Sequence, residues 1–415
     1  MLIVKTKRLL KSFLPGIFLF GFTVGTGSVT AMAKAGADYG MSLLWTVFLS
    51  CGITYFLINL FGKYTLVTGE TTLAAIKKRI HPAAAFFFII TLTAHVCGST
   101  IGIMGIVSDV SYEWSKNFVA GGIQPIYFAL LFIGIIYGLF LQGSTQLFEQ
   151  SLAVIVGIMA ICFLINFCLL MPPLLDLVNG MIPNIPDTGD NNSAFLVIAS
   201  MVGTTVFSGL FILRSTLVKE AGWTMADLKT QQKDALFSGF LMFFVSAAIM
   251  AAAAGSLHIK GVTLTNVSEL ISLLEPFAGS FGVAIFTIGL IAAGVSSQFP
   301  NVALLPWMLD DYYERKGDLT RFNYRIFVFF MSLLGLIVPL FNARPIAIMI
   351  LSQAFGALVL PATVACIIYL GNESSQMKEY KFSLGINLIL AAILLFAILM
   401  SYMSFTGIFA TLDAL

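Results

Sequence analysis

Charged residues are scarce in this sequence: Asp, Glu, Lys and Arg make up 10% of its 415 residues, whereas hydrophobic residues make up 59%. A soluble domain carries about 25% charged residues, so this shortage excludes one. The five cysteines lie in apolar stretches without paired spacing, which argues against a disulfide scaffold or a zinc site. Nucleophile–base pairs and metal-ligand clusters are also lacking, so we expect neither an enzyme nor a nucleic-acid partner. The composition predicts an all-α integral membrane protein surrounded by a lipid bilayer.

Long apolar runs are what the sequence has instead. A transmembrane helix needs about 20 such residues to cross about 30 Å of hydrocarbon. The first run follows several Lys and Arg residues as in a signal peptide, but it is too long and a second span follows at once, which favours an uncleaved helix. No soluble domain remains, so we predict one transmembrane domain over residues 1–415. Its eleven spans are predicted at 13–34, 42–61, 83–109, 125–141, 150–171, 194–218, 235–256, 277–305, 326–341, 346–370 and 382–404.

Lys and Arg are distributed unevenly between the two sides of these spans. Of the 22 Lys and Arg residues, 17 fall in connections on the side of the N-terminus, Arg214 lies inside a span, and Lys34, Lys116, Lys260 and Arg344 fall on the other side. Short cytoplasmic connections carry the excess of Lys and Arg. We therefore predict a multi-pass plasma (inner) membrane protein with the N-terminus in the cytoplasm and the C-terminus outside.

Two of the spans are interrupted by small and polar residues. Span 1 contains Val24-Gly25-Thr26-Gly27-Ser28-Val29, and span 6 contains Gly203-Thr204-Thr205-Val206-Phe207-Ser208-Gly209. A broken backbone at membrane depth is tolerated only where it faces protein or a water-filled cavity. Matching breaks in two halves of a chain point to the binding site of a transporter. We predict two inverted repeats, at about 13–171 and 194–370, each opening with a broken helix, and an additional helix at 382–404.

The breaks also predict the binding residues. Unwinding frees backbone N–H groups that suit a carboxylate and C=O groups that suit a cation. Neither break contains Asp, Glu, His, Met or Cys, so we predict none of the ligands that hold a transition metal. Close packing of helices is the alternative explanation of the glycines. The predicted substrate-binding residues are Gly25, Thr26, Gly27, Ser28, Thr204, Phe207, Ser208 and Gly209, together with Gln353 of span 10.

A coupling ion is predicted at two places, and no other cofactor is expected. Span 8 has a polar patch containing Ser296, Ser297 and Asn301, whose hydroxyl and carbonyl oxygens suit Na⁺ unless the serines bond to their own helix. His95 in span 3 could relay H⁺ near neutral pH, or be a core histidine with satisfied hydrogen bonds. Arg214 in span 6 stays charged. We expect it to extend to the cytoplasmic interface rather than to act as a fixed counter-charge.

Several longer motifs resemble a known family. They are Leu14-Pro15-Gly16, Ala35-Gly36-Ala37-Asp38-Tyr39-Gly40-Met41-Ser42-Leu43-Leu44-Trp45, Gly203-Thr204-Thr205-Val206, Leu213-Arg214-Ser215-Thr216-Leu217-Val218, Ala292-Ala293-Gly294-Val295-Ser296-Ser297 and Leu351-Ser352-Gln353. The chain resembles a divergent relative of the natural resistance-associated macrophage protein (NRAMP) family of proton-coupled divalent-metal transporters. The resemblance implies the LeuT-type fold of five plus five helices, with helices 1 and 6 discontinuous and an eleventh helix added.

The departures from the family fall on its metal site. The family's D-P-G-N of helix 1 aligns with Gly25-Thr26-Gly27-Ser28, and its M-P-H-N of helix 6 aligns with Phe207-Ser208-Gly209-Leu210. Arg214 stands where the family has a further histidine, and His95 stands near a missing acidic residue of helix 3. Of these positions only Gln353 is kept. The substituted break of helix 1 resembles the G-S-G-type break of amino-acid transporters with this fold.

Three functions follow as hypotheses. The first is a secondary transporter of a small polar organic solute, such as an amino acid, coupled to Na⁺ or H⁺. The second is a transporter of a divalent cation, Mn²⁺ or Mg²⁺, held by backbone carbonyls and Gln353; the lack of a carboxylate in the breaks argues against it. The third is a sensor on a transporter fold that transports nothing. The sequence favours the first and leaves the oligomeric state open.

Overall fold

The computed structural model describes residue 16, residues 19–142, 157–158, 161, 164–165, 173–186, 191–271, 273, 275–315 and 321–413. The described chain is almost entirely helical. The predicted span at 150–171 lies largely outside the described residues, as do the first residues of span 1. In chain order the α-helices are α1 (Thr26–Tyr39), α2 (Leu44–Thr68), α3 (Thr72–Ala75), α4 (Pro82–Ser115), α5 (Pro125–Gln142), α6 (Leu174–Gly180), α7 (Asn191–Thr205), α8 (Ser208–Glu220), α9 (Leu228–Ser256), α10 (Val267–Ile271), α11 (Glu275–Tyr312), α12 (Phe322–Leu333), α13 (Ile337–Phe341), α14 (Pro345–Asn372), α15 (Ser374–Met377) and α16 (Leu384–Asp413).

The described helices confirm the membrane class. Eight of them, or joined pairs of them, are long and apolar enough to cross a membrane, and the shorter apolar helix Pro125–Leu141 fits the fourth predicted span. The first span is broken, because residues 19–23 are helical, Val24 and Gly25 form a bend, and α1 begins at Thr26. The sixth is broken between α7 and α8, at Val206 and Phe207. Both predicted interruptions therefore exist.

Both broken helices lie in the core of the bundle. α14 packs along α4, α7 and α16, and α1 packs along α9. The approach of α7 to α14 is so close that a Cβ atom on Gly203 would meet the backbone carbonyl of Gln353. Small residues allow such contacts between membrane helices. This packing brings the break in the sixth span directly against Gln353.

Partly exposed charged contacts lie at the two ends of the bundle. At one end, α3 and the π-helical turn Ile76–Ile80 connect to the ends of α11 and α14 through Lys78–Glu314 (2.6 Å) and Arg79–Glu373 (3.3 Å). At the other, the Lys34–Asp38 pair contacts the backbone of Leu264. The Lys- and Arg-rich connections around residues 79 and 314 thus lie at the same end of the bundle. This agrees with the prediction that both lie on the same side of the membrane.

Candidate functional site

The break in the first span exposes unpaired backbone donors. α1 starts at Gly25 without a side-chain cap, and the Val29 amide is bonded to the Gly25 carbonyl (3.1 Å). The amides of Thr26, Gly27 and Ser28 therefore have no acceptor within the helix. The break in the sixth span is similar: Phe207 precedes α8 without a side-chain cap, and the Leu210 amide bonds to the Phe207 carbonyl (2.9 Å). Each downstream half thus directs the positive end of its dipole towards its break.

A cavity lies at these two breaks, with an empty volume of about 390 Å³. It is bounded by both broken helices and by α4, α11 and α14, the same elements that carry the predicted site residues. None of the described residues that line it is Asp, Glu, Lys or Arg. The lining residues are Phe22, Thr23, Gly25, Gly27, Ser28, His95, Ser99, Ile103, Thr204, Phe207, Ser297, Asn301 and Gln353.

Most of the predicted site residues meet in this cavity. From the two breaks these are Gly25, Gly27, Ser28, Thr204 and Phe207, and Gln353, His95 and Ser297 join them from three other helices. The two glycines of the first break lie against other lining residues. A Cβ atom on Gly25 would lie 2.6 Å from the Ser297 hydroxyl, and one on Gly27 would lie 2.7 Å from Gln353 Nε2. Larger residues would therefore change the cavity directly.

Four predicted site residues do not line the cavity. A Cβ atom on Gly294 of α11 would lie 3.1 Å from the methyl group of Thr26. The first turn of α1 therefore packs against α11 through this side chain. The Ser208 hydroxyl accepts a hydrogen bond from Thr363 Oγ1 (2.7 Å). Gly209 lies beneath the Phe207 ring. Ser296 donates to the carbonyl of Ala293 in its own helix (2.9 Å).

Two side-chain amides line the cavity, and each uses its NH₂ group within the protein. Gln353 Nε2 donates to Met349 Sδ (3.3 Å), one turn earlier in α14. Asn301 Nδ2 donates to the Ser297 carbonyl (2.9 Å), one turn earlier in α11. Within the described chain, neither side-chain carbonyl oxygen has a protein partner, and neither is among the fully enclosed unpaired atoms. The cavity is therefore supplied with two free acceptor oxygens.

Aromatic rings form one wall of the cavity. The His95 ring stacks on Phe207 with 4.6 Å between centroids, and Phe22 meets Phe207 edge to face at 5.7 Å. His95 is 3% exposed, and its Nδ1 atom is buried without a hydrogen-bond partner in the described structure.

Arg214 does not reach the interface, and our preferred expectation for it is wrong. It is fully buried and pairs with Asp234 of α9 through Nη1 and Oδ2 at 2.6 Å, with both side chains at 0% exposure. Asp234 Oδ1 also accepts a hydrogen bond from the Gly16 backbone amide (2.8 Å). The ion pair therefore joins α8 and α9 to the start of the first span, in the role of a fixed counter-charge.

Some lining residues were not predicted from the sequence. Ser99 and Ile103 follow His95 at intervals of four residues, so they share its helical face, and this spacing was a usable signal. Asn301 was noted only as part of the polar patch in span 8. Phe22 and Thr23 precede the first break, and no motif marks them.

Comparison with known proteins identifies the family. A family model described as natural resistance-associated macrophage protein-like (Nramp) matches residues 17–406. The divalent metal cation transporter MntH of Bradyrhizobium diazoefficiens is 20% identical over 390 residues, which cover 91% of this chain and 85% of that protein. MntH of Acidiphilium cryptum is 23% identical over 368 residues, covering 85% of this chain and 80% of that protein.

Solved structures show the same fold. The manganese transporter of Eremococcus coleocola superimposes with a TM-score of 0.77 at 15% identity, covering 97% of this chain and 87% of that one. MhsT in complex with L-phenylalanine superimposes with a TM-score of 0.61 at 17% identity, covering 96% of this chain and 98% of that one. These likenesses agree with the LeuT-type fold expected from the two breaks. The chain belongs to the natural resistance-associated macrophage protein-like (Nramp) family of multi-pass membrane transporters.

Proposed function

We propose that this protein is a secondary active transporter that carries a divalent metal cation across the membrane through the cavity at the two breaks. The relatives that match most of its length are described as divalent metal cation transporters. The sequence alone favoured an organic solute. Membership of the family and the chemistry of the cavity together support the cation hypothesis instead.

The observation that carries this proposal is the orientation of the two cavity amides. Gln353 and Asn301 each donate one of their two side-chain N–H groups to a protein acceptor. Each also keeps a carbonyl oxygen without a protein partner in the described chain, and carbonyl oxygens are ligands that Mg²⁺ and Mn²⁺ accept. A carboxylate would instead meet these two oxygens with like partial charge.

The absence of charge from the cavity lining limits how the cation is held. A bare divalent ion at membrane depth has a large desolvation cost unless it is compensated. Mg²⁺ retains several of its waters in proteins, and a partly hydrated ion needs fewer protein ligands. The carbonyl ends of the upstream half-helices add negative partial charge. We therefore propose a partly hydrated cation that contacts the oxygens of Gln353 and Asn301.

The coupling ion is part of the proposal. The Ser297 hydroxyl lies against Gly25 and donates to the Ala293 carbonyl (2.8 Å), which leaves its oxygen lone pairs available to Na⁺. His95 lines the same cavity and offers the alternative of H⁺ coupling. A Na⁺ gradient and a H⁺ gradient, imposed separately on proteoliposomes, would distinguish these alternatives.

A small organic solute remains the second candidate, because the same cavity has features that suit one. The free amides of Gly27 and Ser28 could hold a carboxylate, and the ring of Phe207 gives an apolar wall. Pockets for organic solutes combine such walls with a few polar groups.

Uptake of Mn²⁺ into proteoliposomes tests the proposal. We expect saturable uptake that Mg²⁺ inhibits, with empty liposomes as the blank. Even outer partners of metal ligands are worth about 10–100-fold in affinity, so Gln353→Leu should weaken Mn²⁺ uptake by at least about tenfold.

Gln298→Leu is the matched control. It makes the same chemical change in α11, at an amide that is buried and whose two polar atoms have no partner in the described chain, and which does not line the cavity. Uptake should survive this change. If folded wild-type protein takes up neither Mn²⁺ nor Mg²⁺, the cation proposal is wrong, and uptake of amino acids should then be measured.

A further inference from the structure

An unpaired imidazole lies in the wall of the cavity. His95 sits in the middle of α4, 3% exposed, with its ring stacked on Phe207. The Ser352 hydroxyl bonds to the backbone carbonyl of His95 (3.1 Å) and not to its ring, and Nδ1 has no hydrogen-bond partner in the described chain. A buried polar atom without a partner is unfavourable because its desolvation is not compensated by a hydrogen bond.

The two edges of the ring have different surroundings. A Cβ atom on Gly356 of α14 would lie 3.1 Å from Cε1 and 3.2 Å from Nδ1. That edge is therefore closed by α14, and Nδ1 is enclosed. Nε2 is not among the enclosed unpaired atoms of the described chain, and the residue lines the cavity. Nε2 is thus the ring nitrogen available to a ligand.

We infer that His95 Nε2 binds the transported cation directly, beside the oxygens of Gln353 and Asn301, and that it favours late first-row transition-metal ions such as Co²⁺ over Mg²⁺. The inference rests on the proposed cation transport. Imidazole suits Fe, Ni, Cu and Zn, whereas ligand sets made only of oxygen suit Mg²⁺ and Ca²⁺. Among the described residues of the cavity lining, His95 supplies the only imidazole. Selectivity would therefore reside on α4, outside both breaks.

This role replaces a proton relay at the same atom. A metal ion binds the unprotonated nitrogen, so a proton and a cation compete for one lone pair. If His95 holds the cargo, Ser297 remains as the candidate for the coupling ion. Phe207 then fixes the orientation of the ligand ring, since the two rings are stacked 28° from parallel.

Selectivity in proteoliposomes is the first test. We expect wild-type protein to prefer Co²⁺ to Mg²⁺, with Mn²⁺ between them. His95→Gln replaces the nitrogen with an amide and should lower the affinity for Co²⁺ by about tenfold or more, with less than about a twofold change for Mg²⁺. His81→Gln is the matched control, because His81 caps the start of α4 through the Ala83 amide and is exposed. It should leave the order of ions unchanged.

A spectroscopic test of the His95 ligand can be made without any substitution in the cavity, so it does not require a cavity variant to fold. Mn²⁺ bound to the purified protein should show ¹⁴N coupling from an imidazole in pulsed electron paramagnetic resonance. The chain has three histidines, so the double variant His81→Gln/His258→Gln keeps His95 alone and should keep the coupling.

The outcomes separate the two proposals. If wild-type protein binds and transports divalent cations but shows no imidazole coupling, the inference about His95 is wrong and the proposed transport stands. An unchanged Co²⁺ preference in folded His95→Gln would overturn the inference in the same way. If no divalent cation binds to wild-type protein, the proposed function itself fails.

Discussion

The cavity and the Arg214–Asp234 ion pair are buried in the same helical bundle, but they differ in whether their polar groups have protein partners. In the cavity, no lining residue is charged, and the amide oxygens of Gln353 and Asn301 and the Nε2 atom of His95 have no protein partner in the described chain. At the ion pair, two full charges at 0% exposure contact each other at 2.6 Å, and the Gly16 amide joins them. Unpaired polar atoms that line a cavity indicate a place for a ligand, whereas paired charges indicate a structural connection.

The difference also concerns what each region can tolerate. A buried ion pair is neutral as a unit, but removal of one partner leaves an uncompensated charge. The cavity holds no charge that a substitution could leave unpaired. Changes at the ion pair should therefore act on folding, and changes in the cavity should act on binding.

The largest effect is expected from Asp234→Asn. It leaves the Arg214 guanidinium buried without its counter-charge, and breaking a buried pair costs about 3–5 kcal/mol. Size-exclusion chromatography of detergent-solubilised protein after heating measures this loss of stability as the loss of monodisperse protein. Asp38→Asn is the control, because the Lys34–Asp38 side chains are 20% and 12% exposed. If both variants lose stability equally, the ion pair has no special structural role.

A double variant sharpens the same comparison. Replacing a buried ion pair with apolar residues of similar volume is often neutral or stabilising. Arg214→Met/Asp234→Leu should therefore recover most of the stability that Asp234→Asn loses. Recovery of stability without recovery of transport would show that the pair also serves movement of the first span, to which Gly16 belongs.

The next largest effect is expected from Gly27→Ala, and it should fall on binding. The added Cβ atom would lie 2.7 Å from Gln353 Nε2, so the amide must turn away from Met349 and its oxygen must move. We expect cation affinity to fall about tenfold, the equivalent of about 1.4 kcal/mol, with little loss of thermal stability. Isothermal titration with Mn²⁺ measures the affinity.

Gly21→Ala is the matched control for this change. It lies in the upstream half of the same broken span, and a Cβ atom there would meet nothing within 4 Å. Its Mn²⁺ affinity should equal that of the wild-type protein. Equal losses in the two variants would mean that flexibility of the first span, and not the position of Gln353, controls binding.

The sequence predicted the class of fold and both breaks because these depend on local composition. Apolar runs of sufficient length are spans wherever they occur, and Gly25 and Gly27 mark a break without knowledge of their neighbours. The pairing of Arg214 was missed for a physical reason. The seventh span was predicted to start at residue 235, whereas α9 begins at Leu228, which places Asp234 within the helix.

The orientation of the site side chains could not be predicted, because it depends on contacts between distant segments. Ser208 is turned from the cavity by Thr363, 155 residues later in the chain. His95 meets Phe207 only because α4 packs beside the second break. The sequence therefore predicted most of the residues at the breaks, but not which atoms of Gln353, Asn301 and His95 remain free.

The smallest effect is expected at the surface, where Lys78 and Glu314 are paired at 2.6 Å with side chains 38% and 46% exposed. The hydrogen bond from Lys78 lowers the pKa of the Glu314 carboxyl below its usual range. A carboxylate whose pKa is lowered by folding stabilises the protein above its unfolded pKa, and this contribution is lost as the pH falls through the folded pKa. Glu314→Gln should cost no more than about 1 kcal/mol at pH 7, because exposed pairs contribute about 0.2–1 kcal/mol. The difference between wild-type protein and this variant, measured by thermal unfolding from pH 7 downwards, should vanish once Glu314 is protonated. If Glu314→Gln lowered the stability as much as Asp234→Asn, the proposed contrast between the exposed and the buried pair would be wrong. Solvent would then not be screening the charges at this end of the bundle.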